Sequence, residues 1–395
     1  MSFVNNFFKQ KRVFLDYASI TPVRTEVVLA MQNTSQESFA NPSALYTEAI
    51  VSKKILDESR KKIADILGGD KKNIVFTSGG TESNNLALLG VFNAFKKDGF
   101  VPHFITTHVE HPAILEVCKE IERRGGEVTY LPVSEDGHVP VQSIRESIKE
   151  NTVLVTIQYV NNEIGTIQSI KEIGRVVKEY RMENKKDFPY FHTDACQAVC
   201  YLPIHVLKQN IDLLSLDGIK MYGPRGVGVL YVSKIVNIKP VVFGGGQENS
   251  LRSGTENVPG IVGFATSLEL VVSEMEKEQT RLLELRDYAI TEIQKAFPES
   301  HLNGSKEKRV ANNINFCFPG LDAEFAVIAL DVAGVSCSYS SSCRTLKEDS
   351  SSYVIESLGR GDCASSSLRF TLGISSRKKD IDLLLKCLNK IIKNR

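Results

Sequence analysis

Lys220 stands in Ser215-Leu216-Asp217-Gly218-Ile219-Lys220-Met221-Tyr222-Gly223-Pro224-Arg225-Gly226, at the end of an apolar run and before a turn with two glycines and a proline. Most lysines are solvated, so one at a buried strand end calls for a partner or a reaction. A desolvated amine there can condense with an aldehyde. Asp194, in His192-Thr193-Asp194-Ala195-Cys196-Gln197, also follows an apolar strand. Taken alone it reads as a helix N-cap, the alternative being a partner for a cationic ligand atom. Thr77-Ser78-Gly79-Gly80-Thr81 lies between a strand and a helix. Its small residues let the backbone approach a ligand, and the free N–H groups of a helix start attract phosphate. Alone, it is equally well a tight turn, and it is neither a Walker loop nor GxGxxG.

Together the three make one constellation of phosphate turn, strand-end acid and strand-end lysine. It suits pyridoxal 5′-phosphate, whose enzymes use a lysine anchor, a carboxylate on the pyridinium nitrogen and a phosphate cup. No metal site is expected: the eight cysteines, at 118, 196, 200, 317, 337, 343, 363 and 387, include no CxxC pair and no zinc-like spacing.

The elements that must position these residues form an α/β pattern. Strands are predicted at Asn73 to Phe76, His103 to Thr106, Thr152 to Gln158, Tyr190 to Thr193, Asp212 to Ser215 and Gly228 to Val232. Helices are predicted at Asn85 to Phe95, His111 to Arg124 and Ile170 to Tyr180. That alternation implies a mostly parallel sheet covered on both faces, with ligands at the strand-to-helix loops. After about Pro259 the pattern changes to a long helix (Ile261 to Phe297), strands near Asn312 to Phe318 and Ser367 to Leu372, and helices over Asp322 to Val332 and Lys378 to Ile392. The expected division is a large cofactor domain over 16–258 and a smaller α+β domain from 1–15 and 259–395, with a cysteine loop at about 336–352.

The 395 residues carry 48 Lys+Arg against 47 Asp+Glu, a formal net charge of +1, which argues against nucleic acid or an anionic membrane as partner. No continuous apolar run approaches a membrane span. The first twelve residues place their charges after the apolar ones, the wrong order for a secretory signal. The expectation is a cytoplasmic protein with reduced thiols.

Several longer motifs then make the chain similar to the cysteine desulfurases of the class V aminotransferase fold, particularly the branch that serves iron–sulfur cluster assembly. They are Leu15-Asp16-Tyr17-Ala18, Thr21-Pro22, Asn41-Pro42-Ser43, Phe76 to Ser83, Val160 to Gly165, Tyr222-Gly223-Pro224, Arg252 to Thr255 and Arg369 to Gly373. The resemblance implies an aspartate aminotransferase-like fold, a homodimer, and removal of sulfur from L-cysteine to give L-alanine and a protein-bound persulfide for a sulfur-acceptor or scaffold protein. Iron–sulfur assembly or tRNA thiolation would be the destination. By the same resemblance, Lys220 would bond the cofactor aldehyde and move the Cα proton, while Asp194 would pair with the pyridine nitrogen. Gln197 and Asn162 would contact the ring oxygen and the substrate, or serve only as loop-stabilising amides. His111 would stack on the ring, a capping role being the alternative. Gly80 and Thr81 would hold the phosphate, with Thr255 reaching in from the partner subunit, and Arg369 would bind the substrate carboxylate. Cys343 would carry the persulfide, with Cys337 its rival. Cys118, Cys196, Cys200, Cys317 and Cys387 are expected to be inert packing thiols, and Cys363 has no assignment.

The chain departs from the family where Ser-Gly-His-Lys is usual, having Asp217-Gly218-Ile219-Lys220. Two side-chain phosphate donors are lost. A carboxylate facing a phosphate in close contact repels it by roughly 4 kcal/mol at an effective dielectric of 20. Asp217 would have to be protonated, turned away, or paired with a base such as Arg252 or Arg225. Ser340, Ser342 and Tyr46 are further departures. Two other readings stay open: another class V enzyme, such as a selenocysteine lyase or an aminotransferase, or a dimeric relative impaired by Asp217 and Ile219.

Overall fold

Runs of β-branched and apolar residues between polar turns build the sheet, as in Thr152 to Thr156, where all five residues are buried. A computed structural model describes residues 12–339 and 351–393. The chain begins with β1 (Val13–Phe14), α1 (Thr25–Glu37), α2 (Thr47–Leu67), β2 (Ile74–Thr77) and α3 (Gly80–Phe95). β3 (His103–Thr107), α4 (Pro112–Arg123), β4 (Glu127–Leu131), α5 (Val141–Ser147), β5 (Thr152–Thr156) and α6 (Ile170–Asn184) follow. Next come β6 (Tyr190–Asp194), β7 (Leu213–Asp217), β8 (Gly228–Val232) and the 39-residue α7 (Val258–Ala296). The last third holds β9 (His301–Leu302), β10 (Asn313–Cys317), α8 (Ala323–Val332), β11 (Val335–Ser336), α9 (Tyr353–Ser357), β12 (Ser367–Thr371) and α10 (Lys378–Lys393).

Seven strands form the large sheet, in the order β2-β8-β7-β6-β5-β3-β4. β7, β6, β5, β3 and β4 pair in parallel, whereas β8 is antiparallel to both its neighbours. The reversal follows from the short connection between Asp217 and Gly228, too brief for a parallel crossover. β2 and β7 both lie antiparallel to β8, so β2 runs the same way as the parallel strands. The C-terminal ends of β2, β3, β5, β6 and β7 therefore meet along one edge of the sheet, where a doubly wound fold binds its ligand.

A smaller antiparallel sheet has the order β12-β10-β9, and β1 pairs in parallel with β11. α7 packs on α1, α2 and α10 and buries Ile261, Phe264, Leu268, Leu282 and Ile293. By length and composition α7 could cross a membrane, a property hidden in the sequence because Glu269 and Glu274 interrupt its apolar residues. Half of its most apolar stretch is instead buried in the protein.

Candidate active site

The turn from β2 into α3 needs glycine at position 79, where φ is +155° and an added Cβ would stand 3.1 Å from a carboxylate oxygen of Asp217. That carboxylate faces the turn. Gly80 N–H donates to Asp217 Oδ2 at 2.8 Å, and Ile219 N–H to Oδ1 at 3.2 Å. The chain's own anion thus occupies the electropositive start of α3. Burial pushes the Asp217 pKa up and Asp194 adds to the rise, against the two backbone donors and Lys220. Arg252 gives it no support, because its Nε is bonded to Glu82 at 2.9 Å.

Asp194, at the end of β6, accepts from Asn84 Nδ2 at 2.7 Å and from the Cys196 backbone N–H at 3.0 Å. It is both a local cap and a carboxylate clamped in the pocket. The clamp, Asn84, is one turn into α3 and fully buried, with its Oδ1 unpartnered. Its only sequence signal is a polar residue on the inner face of an apolar helix. The Lys220 ammonium donates to the backbone carbonyls of Ala18 and Ser19, at 2.8 and 2.6 Å, so the segment after β1 forms part of the site. Gln197 Nε2 bonds the same Ala18 carbonyl at 2.8 Å, which fits the loop-stabilising alternative while leaving Gln197 in the pocket wall.

His111 caps α4: its Nδ1 accepts from Ala113 N–H at 3.1 Å, which puts the proton of the neutral ring on Nε2. Burial lowers its pKa, with Asp194 opposing and Lys220 assisting. The ring also lines the pocket, so capping and site roles coexist. Behind it, Glu110 accepts from Gln158 N–H at 2.9 Å and Thr107 Oγ1 at 2.8 Å, and burial pushes its pKa up to about 8.

Arg369 on β12 is 2% exposed. It donates to Asn162 O at 2.9 Å, Asp16 Oδ1 at 2.8 Å and Ser19 Oγ at 2.9 Å, while its Nε and the Oδ1 of Asn162 have no partner. Unsatisfied buried donors and acceptors around a cavity mark where a polar ligand would bind. Arg369 and Asn162 line the same pocket as Lys220, Asp194, His111 and Thr81. Thr255 does not: it lies in a separate groove with Phe39 and Asn257.

Cys343 lies outside the described residues. Among the described residues, Ser338 exchanges backbone hydrogen bonds with Arg369 of the pocket wall, and Ser352 Oγ donates to Glu163 Oε2 at 2.5 Å. Cys337 is mostly buried, and desolvation raises its pKa, with Asp16 adding to the rise, so it is a poor thiolate. Cys196, expected to be mere packing, lines the pocket, although burial raises its pKa too. The expectation that Cys317 is an inert thiol is wrong: Cys317 and the unassigned Cys363 form a disulfide. The end of β10 meets the turn before β12 there, with Cα atoms 5.4 Å apart.

The family model for aminotransferase class-V matches residues 13–384. A cysteine desulfurase IscS of Dictyoglomus turgidum is 42% identical over 384 residues, covering 97% of this chain and 95% of that one. The mitosomal cysteine desulfurase of Encephalitozoon cuniculi is 41% identical, covering 95% of this chain and 85% of its own. Among solved structures, a NifS-like protein superposes with a TM-score of 0.89 at 31% identity, over 97% of this chain and 100% of that chain. SspA, solved in complex with cysteine, gives 0.78 at 35% identity, over 91% of this chain and 98% of its own.

Proposed function

The chain belongs to the class-V aminotransferase family, in its cysteine desulfurase branch, and on that premise we propose that it transfers the sulfur of L-cysteine to its own Cys343 and releases L-alanine. The observation that carries this reading is the meeting of Lys220, Asp194 and the buried Arg369, with its unpartnered Nε, in one pocket. SspA in complex with cysteine supports the choice of substrate.

The residues present fit pyridoxal 5′-phosphate at the ring and substrate ends. A carboxylate preset by Asn84 suits a protonated ring nitrogen, an amine on a turn suits the aldehyde, and the unpartnered Arg369 Nε and Asn162 Oδ1 suit a polar substrate. When bound, this cofactor supplies a ring that accepts the charge released at the substrate Cα. Asp194 keeps the ring nitrogen protonated. Lys220 would anchor the cofactor and move the Cα proton, its carbonyl partners on Ala18 and Ser19 holding it in place beforehand. His111, neutral and with its proton on Nε2, provides a hydrogen-bond donor beside the ring. Arg369 grips the substrate carboxylate.

In the overall step the Cβ–S bond of cysteine breaks, an S–S bond forms to Cys343, and a proton ends on Cβ. L-cysteine plus Cys343–SH thus gives L-alanine plus Cys343–S–SH, with no outside oxidant. The burial of Cys337, which raises its thiol pKa, supports Cys343 over Cys337 as carrier. An acceptor protein would then take the sulfur. A homodimer completes the site through the partner subunit's Thr255. Phe39, Leu45 and Phe243, exposed by 78, 93 and 80%, support such an interface, and Phe39 lines the Thr255 groove.

The test is the purified protein loaded with cofactor and mixed with L-cysteine. Visible absorbance and alanine release are expected, and Lys220→Ala should lose both. An enzyme that releases alanine from L-selenocysteine but not from L-cysteine would refute the reading.

A further inference from the structure

The phosphate end is where the chain's own chemistry opposes the cofactor it is read to hold. The start of α3 offers backbone N–H groups and a positive helix end, which together form an anion site. That site is already in use: Gly80 N–H is bonded to Asp217 Oδ2 at 2.8 Å, and the same carboxylate takes Ile219 N–H through Oδ1. Ile219 lines this end of the pocket and contributes no side-chain donor. A cofactor phosphate aimed at Gly80 and Thr81 would meet a carboxylate already seated there.

We infer that Asp217 is a built-in competitor for the cofactor's phosphate, so that the phosphate is held only as this carboxylate takes up a proton. The inference rests on the cofactor reading above. The carboxyl, once protonated, turns from a rival acceptor into a donor to the phosphate, replacing the side-chain donors missing at 217 and 219.

Burial, rather than the surrounding charges, favours proton uptake at Asp217: the Gly80 and Ile219 N–H donors and Lys220 oppose it, and Asp194 adds to the rise. Asp194 on β6 and the Cys196 thiol that follows it face Asp217. Lys220 on its own turn is the cation that acts on Asp217 among the described residues, and it is the residue the cofactor aldehyde would consume. On α3 the nearest acid, Glu82, is satisfied by Arg252, which is therefore not available to Asp217. Burial raises the Asp217 pKa even before a dianion arrives, and a phosphate alongside would raise it further.

The sign of the pH effect follows. A group whose pKa is higher in the complex than in the free protein takes up a proton on binding. Affinity is therefore greatest below the free-state pKa and falls as pH rises through the window between the two values. Release of one proton per cofactor lost gives a slope of about tenfold in Kd per pH unit.

The experiment titrates cofactor-free full-length protein with pyridoxal 5′-phosphate and, separately, with pyridoxal, which has the same aldehyde and ring but no phosphate. Binding is followed by visible absorbance. Wild type, Asp217→Asn and Asp217→Ser are compared at about pH 6.5 and about pH 8.5, with the ratio of the two ligands cancelling the pH dependence of the lysine. Over that span the wild-type ratio should shift against the phosphorylated ligand, by at most about tenfold per pH unit, and in both variants it should stay flat, with the phosphate-bearing ligand bound tighter than by wild type at the higher pH. An equal ratio and slope in wild type and variants would overturn the inference while leaving the cofactor reading intact. So would a variant that gains as much affinity for pyridoxal as for its phosphate. No absorbance with either ligand in any protein would refute the cofactor reading, and this inference with it. Should both variants fail to fold, sulfate, a dianion throughout, still decides in wild type: its affinity for the cofactor-free protein, measured by calorimetry, should be greater at the lower pH, and equal affinity at both pH values overturns the inference.

Discussion

Replacing Arg369 by lysine separates substrate binding from chemistry. The guanidinium sits on β12 with its two Nη atoms committed to Asn162 O, Asp16 Oδ1 and Ser19 Oγ, and its Nε unpartnered in the pocket wall. Lysine keeps the charge that neutralises Asp16 at the 2.8 Å ion pair, so the fold is expected to survive. It cannot keep the fork: one ammonium cannot reach Asp16, Asn162 and a substrate carboxylate together. A hydrogen bond to a charged group is worth about 1.5–3 kcal/mol, which corresponds to about a 10- to 150-fold loss of affinity. Because the carboxylate is remote from the breaking Cβ–S bond, the loss should fall on KM and leave kcat within about threefold. The assay is alanine release over a range of L-cysteine concentrations. Cysteamine, which lacks the carboxylate, is the control and should inhibit wild type and Arg369→Lys equally. A KM unchanged beside a kcat reduced tenfold or more would refute the reasoning and place Arg369 among the groups that position the reacting atoms.

Three further outcomes are expected. Glu248 accepts two bonds from Arg60, at 2.7 and 2.6 Å, and one from Phe76 N–H at 2.9 Å, with 2% of its side chain exposed. Glu248→Ala strands a buried guanidinium, so it should cost about 3–5 kcal/mol. With about 2.1 cal/mol/K of unfolding entropy per residue, that lowers Tm by about 4–6 °C in calorimetry. His103 and His192, both buried, have pKa values lowered by desolvation to about 4, so the unfolded chain binds their protons first. Their contribution to stability is complete above about pH 6.5 and is lost as pH falls toward about 4, by up to about 1.4 kcal/mol per pH unit for each histidine. His192→Asn should flatten part of that slope in urea titrations, and an unchanged slope would contradict it. Cys343→Ser should abolish persulfide formation with cofactor absorbance retained, whereas Cys337→Ser should leave both in place; the reverse would move the carrier to Cys337.

The strand-end positions of Asp194 and Lys220 were legible because buried parallel strands show as apolar runs, and their ends announce the ligand edge. The glycine turn at 79–80 was legible for the same reason. What local pattern could not carry is what depends on contacts distant in sequence. Asn84 meets Asp194 across 110 residues, and Lys220 meets Ala18 across 202. β4 escaped notice because four of its five residues are only half-buried at the sheet edge, which breaks the apolar run. The Cys317–Cys363 bond joins positions 46 residues apart, and neither flank distinguishes them from packing thiols. Asp217 was visible as a departure from its family, but only the fold shows it facing Gly80.

The central claim is the transfer of sulfur from L-cysteine to Cys343, and the most direct measurement is a single turnover. Protein loaded with cofactor and no acceptor is given L-cysteine, and the products are read by amino-acid analysis and by mass spectrometry of the peptide holding Cys343. The account predicts alanine together with one added sulfur atom on that peptide, the increment removed by a thiol reductant. Pyruvate and ammonia in place of alanine, or alanine with no sulfur retained on the protein, would contradict it.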